Sequence, residues 1–418
     1  MAHISPYGSM NETDMELQEM IGAGARRARV GILGGGQLAR MLAESAWRMG
    51  FRPITLALSA EDPAAQICPD SVYGSLTDPI ALRRFLSQVD TVVFENEFVD
   101  CELLSQMSEG LSVTFAPSLE VLFQLQDKIR QKEILTKLGI ESSRYLVHSK
   151  KADLKKWLQQ VQEEFPNGFV LKWAQLGYDG KGTWISPEGT KNFSGDALKF
   201  CEAAVAKGVP LFAEEKVPIK REVAVVGVYS TDREFAAYPL VISQQVTGIC
   251  RLVTGPAQAL GVNADLEKKA HQAARSLAES ISLYGSFAIE FFETFDGKLL
   301  VNEIAPRVHN TGHYTQNAAD TSQFENHWRA VLGLGLGEVS TTPGFAMLNL
   351  LGPLNSNDKQ SVASTPLRLS PHIHLHWYGK SEIRAGRKLG HLNGVVSSVG
   401  EISGLVRELE KLEQSWWR

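Results

Sequence analysis

From Arg29 onward, short apolar runs alternate with stretches whose apolar positions recur at helical spacing. Val30 to Leu33 reads as a strand, and residues 37–49 as an amphipathic helix closed by Gly50. FRPITLALS predicts a second strand, TDPIALRRFLSQ a helix capped at Thr77 or Asp78, and DTVVFENEF a third strand. Strands alternating with helices predict an α/β unit, a parallel sheet covered on both faces, over 27–125, behind a loose polar leader at 1–26. The pattern then changes. A helix at DKIRQKEILTKLG precedes strands at GFVLKWAQ and in VPLFAEEKVPIKREVAVVGVYS, and a hairpin in SLYGSFAIEFFETFDGKLLVNEIAPR, so 126–350 reads as α+β. A smaller tail, 351–418, carries strands around HIHLHWY and a closing helix.

The hairpin is the most informative segment. Asp296-Gly297 is a strong two-residue turn signal. With that turn, Phe295 faces Lys298, Phe292 faces Val301 and Glu290 faces Glu303. Directly opposed residues have Cβ atoms roughly 5 Å apart, and two carboxylates at that distance in an apolar hairpin repel. A divalent cation between them removes the repulsion, and oxygen ligands with substrate phosphates suit Mg²⁺. A one-residue register slip, or two splayed surface acids, is the alternative.

A cation of that kind implies a nucleotide. Gly177-Tyr178-Asp179-Gly180-Lys181-Gly182-Thr183 is a glycine turn with one lysine, able to bring backbone N–H groups to phosphates, though a plain hairpin turn explains it as well. The spacing is not that of a Walker A loop. Lys172 lies in an apolar strand just before it and needs an anionic partner if buried; an edge strand would instead expose it. Near the N-terminus, Gly34-x-Gly36-x-x-Ala39 fits the dinucleotide fingerprint G-x-G-x-x-[GA]. That site also requires an acid about 20 residues on, at the end of the second strand. Here that strand ends Leu56-Ala57-Leu58-Ser59 and Glu61 comes late, so the NAD reading fails.

Composition narrows the classes. The 418 residues are 44% hydrophobic and 21% charged, with a net charge of -5. This is a globular composition for two or three domains, without the basic footprint of a nucleic-acid binder. Cys68, Cys101, Cys201 and Cys250 form no C-x-x-C pair, which predicts a reduced cytoplasmic chain without a cysteine metal site. No signal peptide and no apolar run of the ~18 residues a membrane helix needs is present.

The strand lysine, the glycine loop, Glu214-Glu215-Lys216-Val217, Glu222 and the Glu290/Glu303 pair occur in the order seen in ATP-grasp ligases. More narrowly, GYDGKGTW, NEIAPRVHNTGHYTQNAADTSQFENHWRAV and LHWYGKSEIRAGRKLGHLN resemble the 5-(carboxyamino)imidazole ribonucleotide synthase family, over about residues 29–410. The resemblance implies a Rossmann-like pre-ATP-grasp domain, an ATP-grasp domain and a small β-rich C-terminal domain that closes the substrate site. It implies ATP and Mg²⁺ as cofactors, 5-aminoimidazole ribonucleotide and bicarbonate as substrates, and a homodimer. By the same resemblance, Lys128 and Lys172 are phosphate-side cations, residues 177–183 a lid, Glu214 to Val217 the adenine hinge, and Glu222 a ribose contact. Glu290 and Glu303 are the Mg²⁺ ligands, with Asn302 beside them. Tyr178, Lys181, Arg307, His309, Lys380, Arg387 and Lys388 face the aminoimidazole ribonucleotide. Gln245 stands where some relatives have a nucleotide-contacting histidine, and Trp173 to Leu176 depart from a more basic, glycine-containing stretch.

In that setting the glycines at 34–36 tighten a turn and present helix N-terminal N–H groups to the substrate. Gln37 would touch it, and Glu95 or Glu97 would hold its ribose or amine, unless those acids merely mark the sheet edge. His372, His374 and His376 alternate, which places them on one strand face as a polar wall; a zinc cluster is the less favoured reading. The alternative function is another ATP-grasp ligase, such as a formate-dependent glycinamide ribonucleotide transformylase. A non-catalytic nucleotide-binding regulator is the alternative outside enzymes.

Overall fold

The computed structural model describes residues 28–175, 177, 182–187, 195–246, 248–353 and 368–416. The leader at 1–26 lies outside them. The first unit runs β1 (Val30–Leu33), α1 (Gln37–Arg48), β2 (Ile54–Ala57), β3 (Val72–Tyr73), α2 (Pro79–Leu86), β4 (Thr91–Phe94), α3 (Cys101–Ser108), β5 (Thr114–Ala116) and α4 (Leu119–Leu125). Its sheet is parallel throughout, in the order β3-β2-β1-β4-β5. The wholly buried β1 is its middle strand, as its unbroken apolar run requires. Asp78 caps α2, its Oδ1 accepting from the Ile80 N–H at 2.9 Å, with Pro79 at the first helical position.

Helix α5 (Lys128–Lys137) leads into a four-stranded antiparallel sheet built from β6 (Tyr145–Val147), β7 (Phe169–Trp173), β8 (Thr183–Ile185) and β9 (Leu211–Glu215). Its order is β6-β9-β7-β8. Between these strands run α6 (Leu154–Glu164) and α7 (Gly195–Ala206), whose apolar faces cover it.

A nine-stranded sheet completes the chain. It contains β10 (Ile219–Tyr229), β11 (Phe235–Ala237), β12 (Val241–Val246), β13 (Ile249–Gly255), β14 (Gly285–Thr294), β15 (Leu299–Ala305), β16 (Gly344–Leu351), β17 (Ile373–Trp377) and β18 (Lys388–Val396). The order is β15-β14-β10-β12-β13-β16-β18-β17, with β11 on β10. The boundary expected at 350/351 therefore falls inside β16, and the tail's strands extend the central sheet. Helix α8 (Ala264–Ile281) fills one side of it, packing Leu266, Ala270, Ala274 and Leu277 against Val223, Phe287 and Ile289. Short α9 (Thr315–Ala318) and α10 (Gln323–Leu332) lie on the other side, and α11 (Ile402–Trp416) closes the chain against β16 and β18. The first unit is anchored on α10: Trp328 is buried against Leu42, Phe324 and Val331, and its Nε1–H donates to the Leu42 carbonyl at 2.9 Å.

Candidate active site

Strands β14 and β15 oppose Glu290 and Glu303 directly. Beyond that pair the register differs from the expected one: Phe291 faces Val301 and Phe292 faces Leu300, not Val301. Two one-residue departures cancel at the carboxylates. The loop is Phe295–Gly297, with the Thr294 N–H donating to the Lys298 carbonyl at 3.0 Å and Gly297 left-handed at φ 79°. Asn302 is then the extra residue of a β-bulge. A bulge turns neighbouring side chains toward one face, and the Asn302 Oδ1 accepts from Lys172 Nζ at 3.0 Å beside Glu303.

Charge is unevenly spread over this face. Burial, reinforced by Glu303 and Glu222, holds the Glu290 carboxyl well above its ordinary value. Burial also pushes Glu303 upward, but Lys128, which pairs with it through Nζ, overrides burial and holds it low. Two directly opposed carboxylates with Asn302 beside them are an oxygen donor set that fits a divalent cation. His309 flanks it, with Nε2 3.9 Å from Glu290 Oε1 and Nδ1 2.9 Å from Thr311 Oγ1.

Lys172 is buried in β7, which lies between β8 and β9 and is no edge strand. Its partner is the Glu214 carboxylate, Nζ to Oε2 2.6 Å, and Lys132 approaches the other oxygen at 2.6 Å. Burial opposes ionisation of Glu214, yet the two ammonium groups hold it at about 2. Both Glu214 oxygens are thus engaged by lysines, while residues 214–217 border the larger cavity. Glu215 turns outward to Arg144, Nε to Oε2 2.9 Å.

Two cavities meet here. One of about 550 Å³ is bordered by Lys172, Gly182, Thr183, the 214–217 segment, Glu222, Gln245, Glu290 and Asn302. Gln245 Nε2–H donates to Ser243 Oγ at 3.0 Å, and Gln245 also hydrogen-bonds Glu222, whose carboxyl burial raises. The other cavity, about 450 Å³, is bordered by Gln37, Glu95, Glu97, Gln175 and Arg307. Lys128, Gly177, Glu303, His309, Asn310 and Lys388 line both and form the shared wall.

Among the expected substrate contacts, Lys380 and Arg387 border neither cavity. Lys380 Nζ–H donates to the Lys388 carbonyl at 2.7 Å, and Arg387 Nη1–H to the Glu382 carbonyl at 3.1 Å. Arg307 is held by Glu97, Nε to Oε2 2.6 Å. Tyr178, Asp179, Gly180 and Lys181 lie outside the described residues. Sequence reasoning missed Gln131, Lys132, Gln175 and Asn310. Lys128, Gln131 and Lys132 share one face of α5, and that i, i+3, i+4 spacing was the available signal. Gln131 receives the Ile304 N–H on Oε1 at 2.9 Å and returns an N–H to the Ile304 carbonyl at 2.9 Å, acting as one more rung beyond edge strand β15.

In the glycine turn of the first unit, two N–H groups are engaged within the protein. The Gly34 N–H donates to the Leu56 carbonyl at 3.1 Å, and the Gly36 N–H to Glu95 Oε2 at 2.6 Å. Burial raises the Glu95 carboxyl, against the Gly36 N–H and the Lys380 charge. A Cβ on Gly36 would overlap the Glu95 carboxylate, which would have to shift to admit a side chain there. Of the three alternating histidines, His374 and His376 lie two apart in β17 and share a face, while His372 lies outside the strand. His372 precedes β17 and meets Glu408 of α11 at 3.1 Å. His376 meets Asn317 of α9 at 2.7 Å and stacks on His391. Among the described residues no group of three His, Cys, Asp or Glu side chains could hold a metal.

Comparison with known proteins follows the same division. The ribonucleotide synthetase preATP-grasp domain family matches residues 27–126, the ATP-grasp domain family 133–324, and the phosphoribosylaminoimidazole carboxylase C-terminal domain family 346–403. The chain is 39% identical over 375 residues to the N5-carboxyaminoimidazole ribonucleotide synthase of Mycobacterium leprae, covering 87% of this chain and 83% of that one. It is similar to the Aspergillus clavatus carboxyaminoimidazole ribonucleotide synthase complexed with ATP, at TM-score 0.82 and 31% identity over 93% of this chain and 98% of that one. The same enzyme in complex with ADP and 5-aminoimidazole ribonucleotide gives TM-score 0.80 and 30% identity, over 93% and 99%. Two adjoining cavities, an opposed acid pair on their shared wall and agreement along nearly the whole chain lead to one conclusion: this chain belongs to the N5-carboxyaminoimidazole ribonucleotide synthase family.

Proposed function

We propose that the larger cavity takes ATP, that the smaller takes 5-aminoimidazole ribonucleotide, and that bicarbonate is activated at the wall between them. The enzyme is an ATP-dependent ligase that carboxylates the exocyclic amine of this ribonucleotide. The carrying observation is the shared wall: Lys128, Glu303 and His309 border both cavities. A phosphoryl group leaving ATP and an amine entering from the other side meet there.

A bicarbonate oxygen attacks the γ-phosphorus and ADP leaves, giving carboxyphosphate. Its C–O bond then breaks to release CO₂ and phosphate, and the amine attacks CO₂ to form the carbamate with loss of a proton. Lys128 and Lys172 hold the phosphates, and Val217 and its neighbours border the base. Arg307, fixed by Glu97, lies on the ribonucleotide side with Gln37 and Glu95. Glu290, Glu303 and Asn302 are the groups that would hold Mg²⁺, which when bound screens the phosphate charge. Tyr178 and Lys181 belong to the lid in this reading, and a closed lid keeps water from carboxyphosphate. The cytoplasmic, homodimeric state belongs to the same proposal; four free, buried cysteines suit a reducing compartment.

ADP release with Mg²⁺ and bicarbonate tests this. Strong stimulation by 5-aminoimidazole ribonucleotide is expected. Turnover indifferent to that ribonucleotide would contradict the assignment of the smaller cavity.

A further inference from the structure

Three charged side chains form a row that begins in the protein interior and ends at the larger cavity. Lys132 on α5 is 2% exposed, Glu214 on β9 is 3% exposed and Lys172 on β7 is 8% exposed. Lys132 Nζ lies 2.6 Å from Glu214 Oε1 and donates to Ser143 Oγ at 2.8 Å and the Ser143 carbonyl at 3.2 Å. Glu214 Oε2 lies 2.6 Å from Lys172 Nζ, which donates to Asn302 Oδ1 at 3.0 Å. Only Lys132 borders neither cavity.

This order has an electrostatic consequence. A buried ion pair of Lys172 with Glu214 alone carries no net charge, and a phosphate beside it would meet an ammonium group already neutralised. A second, more deeply buried ammonium on the far oxygen changes that sum. The row carries +1 overall, and its cavity end is Lys172. Burying an ammonium group is unfavourable unless its donors are used. Here all of Lys132's named partners are spent inside the protein, none on a ligand.

We propose that Lys132 is a positioning residue for the nucleotide: it takes up half of the Glu214 charge, so that Lys172 meets the phosphates of ATP or ADP as an effective cation. The role rests on the reading of the larger cavity as the nucleotide site. It gives Glu214 the task of a charge divider and orienting group. Removing a unit charge about 10 Å from a phosphate at an effective dielectric near 20 changes affinity roughly tenfold.

Isothermal titration of Mg²⁺-ADP into the full chain tests it, with four variants compared against wild type. Lys132→Met leaves the row neutral and is expected to weaken ADP roughly tenfold. Lys132→Arg keeps the charge and should stay within about threefold of wild type. The double variant Lys132→Met/Glu214→Gln restores the net +1 and should bind ADP more tightly than Lys132→Met alone. A merely structural role predicts the reverse, since the double variant loses more contacts. Unchanged affinity in Lys132→Met, or a double variant no better than it, overturns the proposal. Should Lys132→Met fail to fold, Glu214→Gln decides: affinity equal to or above wild type is expected, and a tenfold fall overturns the idea. Wild-type protein that binds no ADP would instead overturn the nucleotide reading itself.

Discussion

Among the described residues two places have the make-up of an anion site, and they differ in the charge left over after internal pairing. The turn at Gly34 to Gly36 offers helix N-terminal N–H groups, and the α5–β7 region offers Lys128, Lys132 and Lys172. In the turn, Glu95 arrives from the end of β4 and takes the Gly36 N–H at 2.6 Å. The donor is spent on the protein's own carboxylate. In the second region three ammonium groups face Glu214 and Glu303, the two carboxyls held low, and the surplus borders a cavity. The difference teaches that an anion site is defined by the charge left after internal pairing. A local motif cannot show that residue, because the pairing group stands 59 positions away.

Breaking the second region should have the largest effect. Glu303→Gln is expected to lower kcat for ADP release at least roughly 100-fold, measured with ATP, bicarbonate and the ribonucleotide saturating. Activity like that of wild type would remove Glu303 from the chemistry.

Glu95 in the turn and Glu214 in the second region should respond to pH with opposite signs. Glu95 is raised on folding, so its contribution is present below the ordinary glutamate value of 4.5 and is lost as pH rises. Glu214 is lowered to about 2, so its contribution is present above 4.5 and is lost as pH falls toward 2. Urea unfolding across pH should therefore show Glu95→Gln improving relative to wild type as pH rises. Glu214→Gln should improve relative to wild type as pH falls below 4.5. Parallel trends in the two variants would show that the environments do not differ in this way.

Smaller effects belong to the glycine turn and its neighbours. Gly36→Ala should lower the unfolding free energy by about 1–3 kcal/mol, because its Cβ would overlap the Glu95 carboxylate. Asp78→Ala should cost about 1 kcal/mol through loss of the α2 cap. Both are read from denaturant midpoints, and an unchanged midpoint in Gly36→Ala would mean that Glu95 can withdraw from the turn.

Much of the fold is legible in short patterns. The strand at Val30–Leu33, the cap at Asp78 and the hairpin at 285–305 follow from local periodicity and turn chemistry. What stayed hidden depends on single inserted residues or on distant partners. Asp296-Gly297 serves a longer loop as readily as the two-residue turn, since Gly297 supplies the left-handed residue in either. The Asn302 bulge has no sequence signal, and only because it cancels the loop error do Glu290 and Glu303 still face each other. The histidine alternation holds for His374 and His376 but not for His372, because β17 begins at Ile373 and leaves His372 in the turn before it. Glu214 was legible as a site residue by resemblance, yet its lysine partners come from α5 and β7, some 82 and 42 residues upstream in the chain.

Bicarbonate labelled with ¹⁸O in all oxygens tests the central claim most directly. If bicarbonate attacks ATP at the wall between the cavities, the phosphate released with ADP carries one ¹⁸O, in amounts that rise with 5-aminoimidazole ribonucleotide. Phosphate released without label, at the same rate of ADP formation, would mean that water attacks the γ-phosphorus and that the shared wall does not activate bicarbonate.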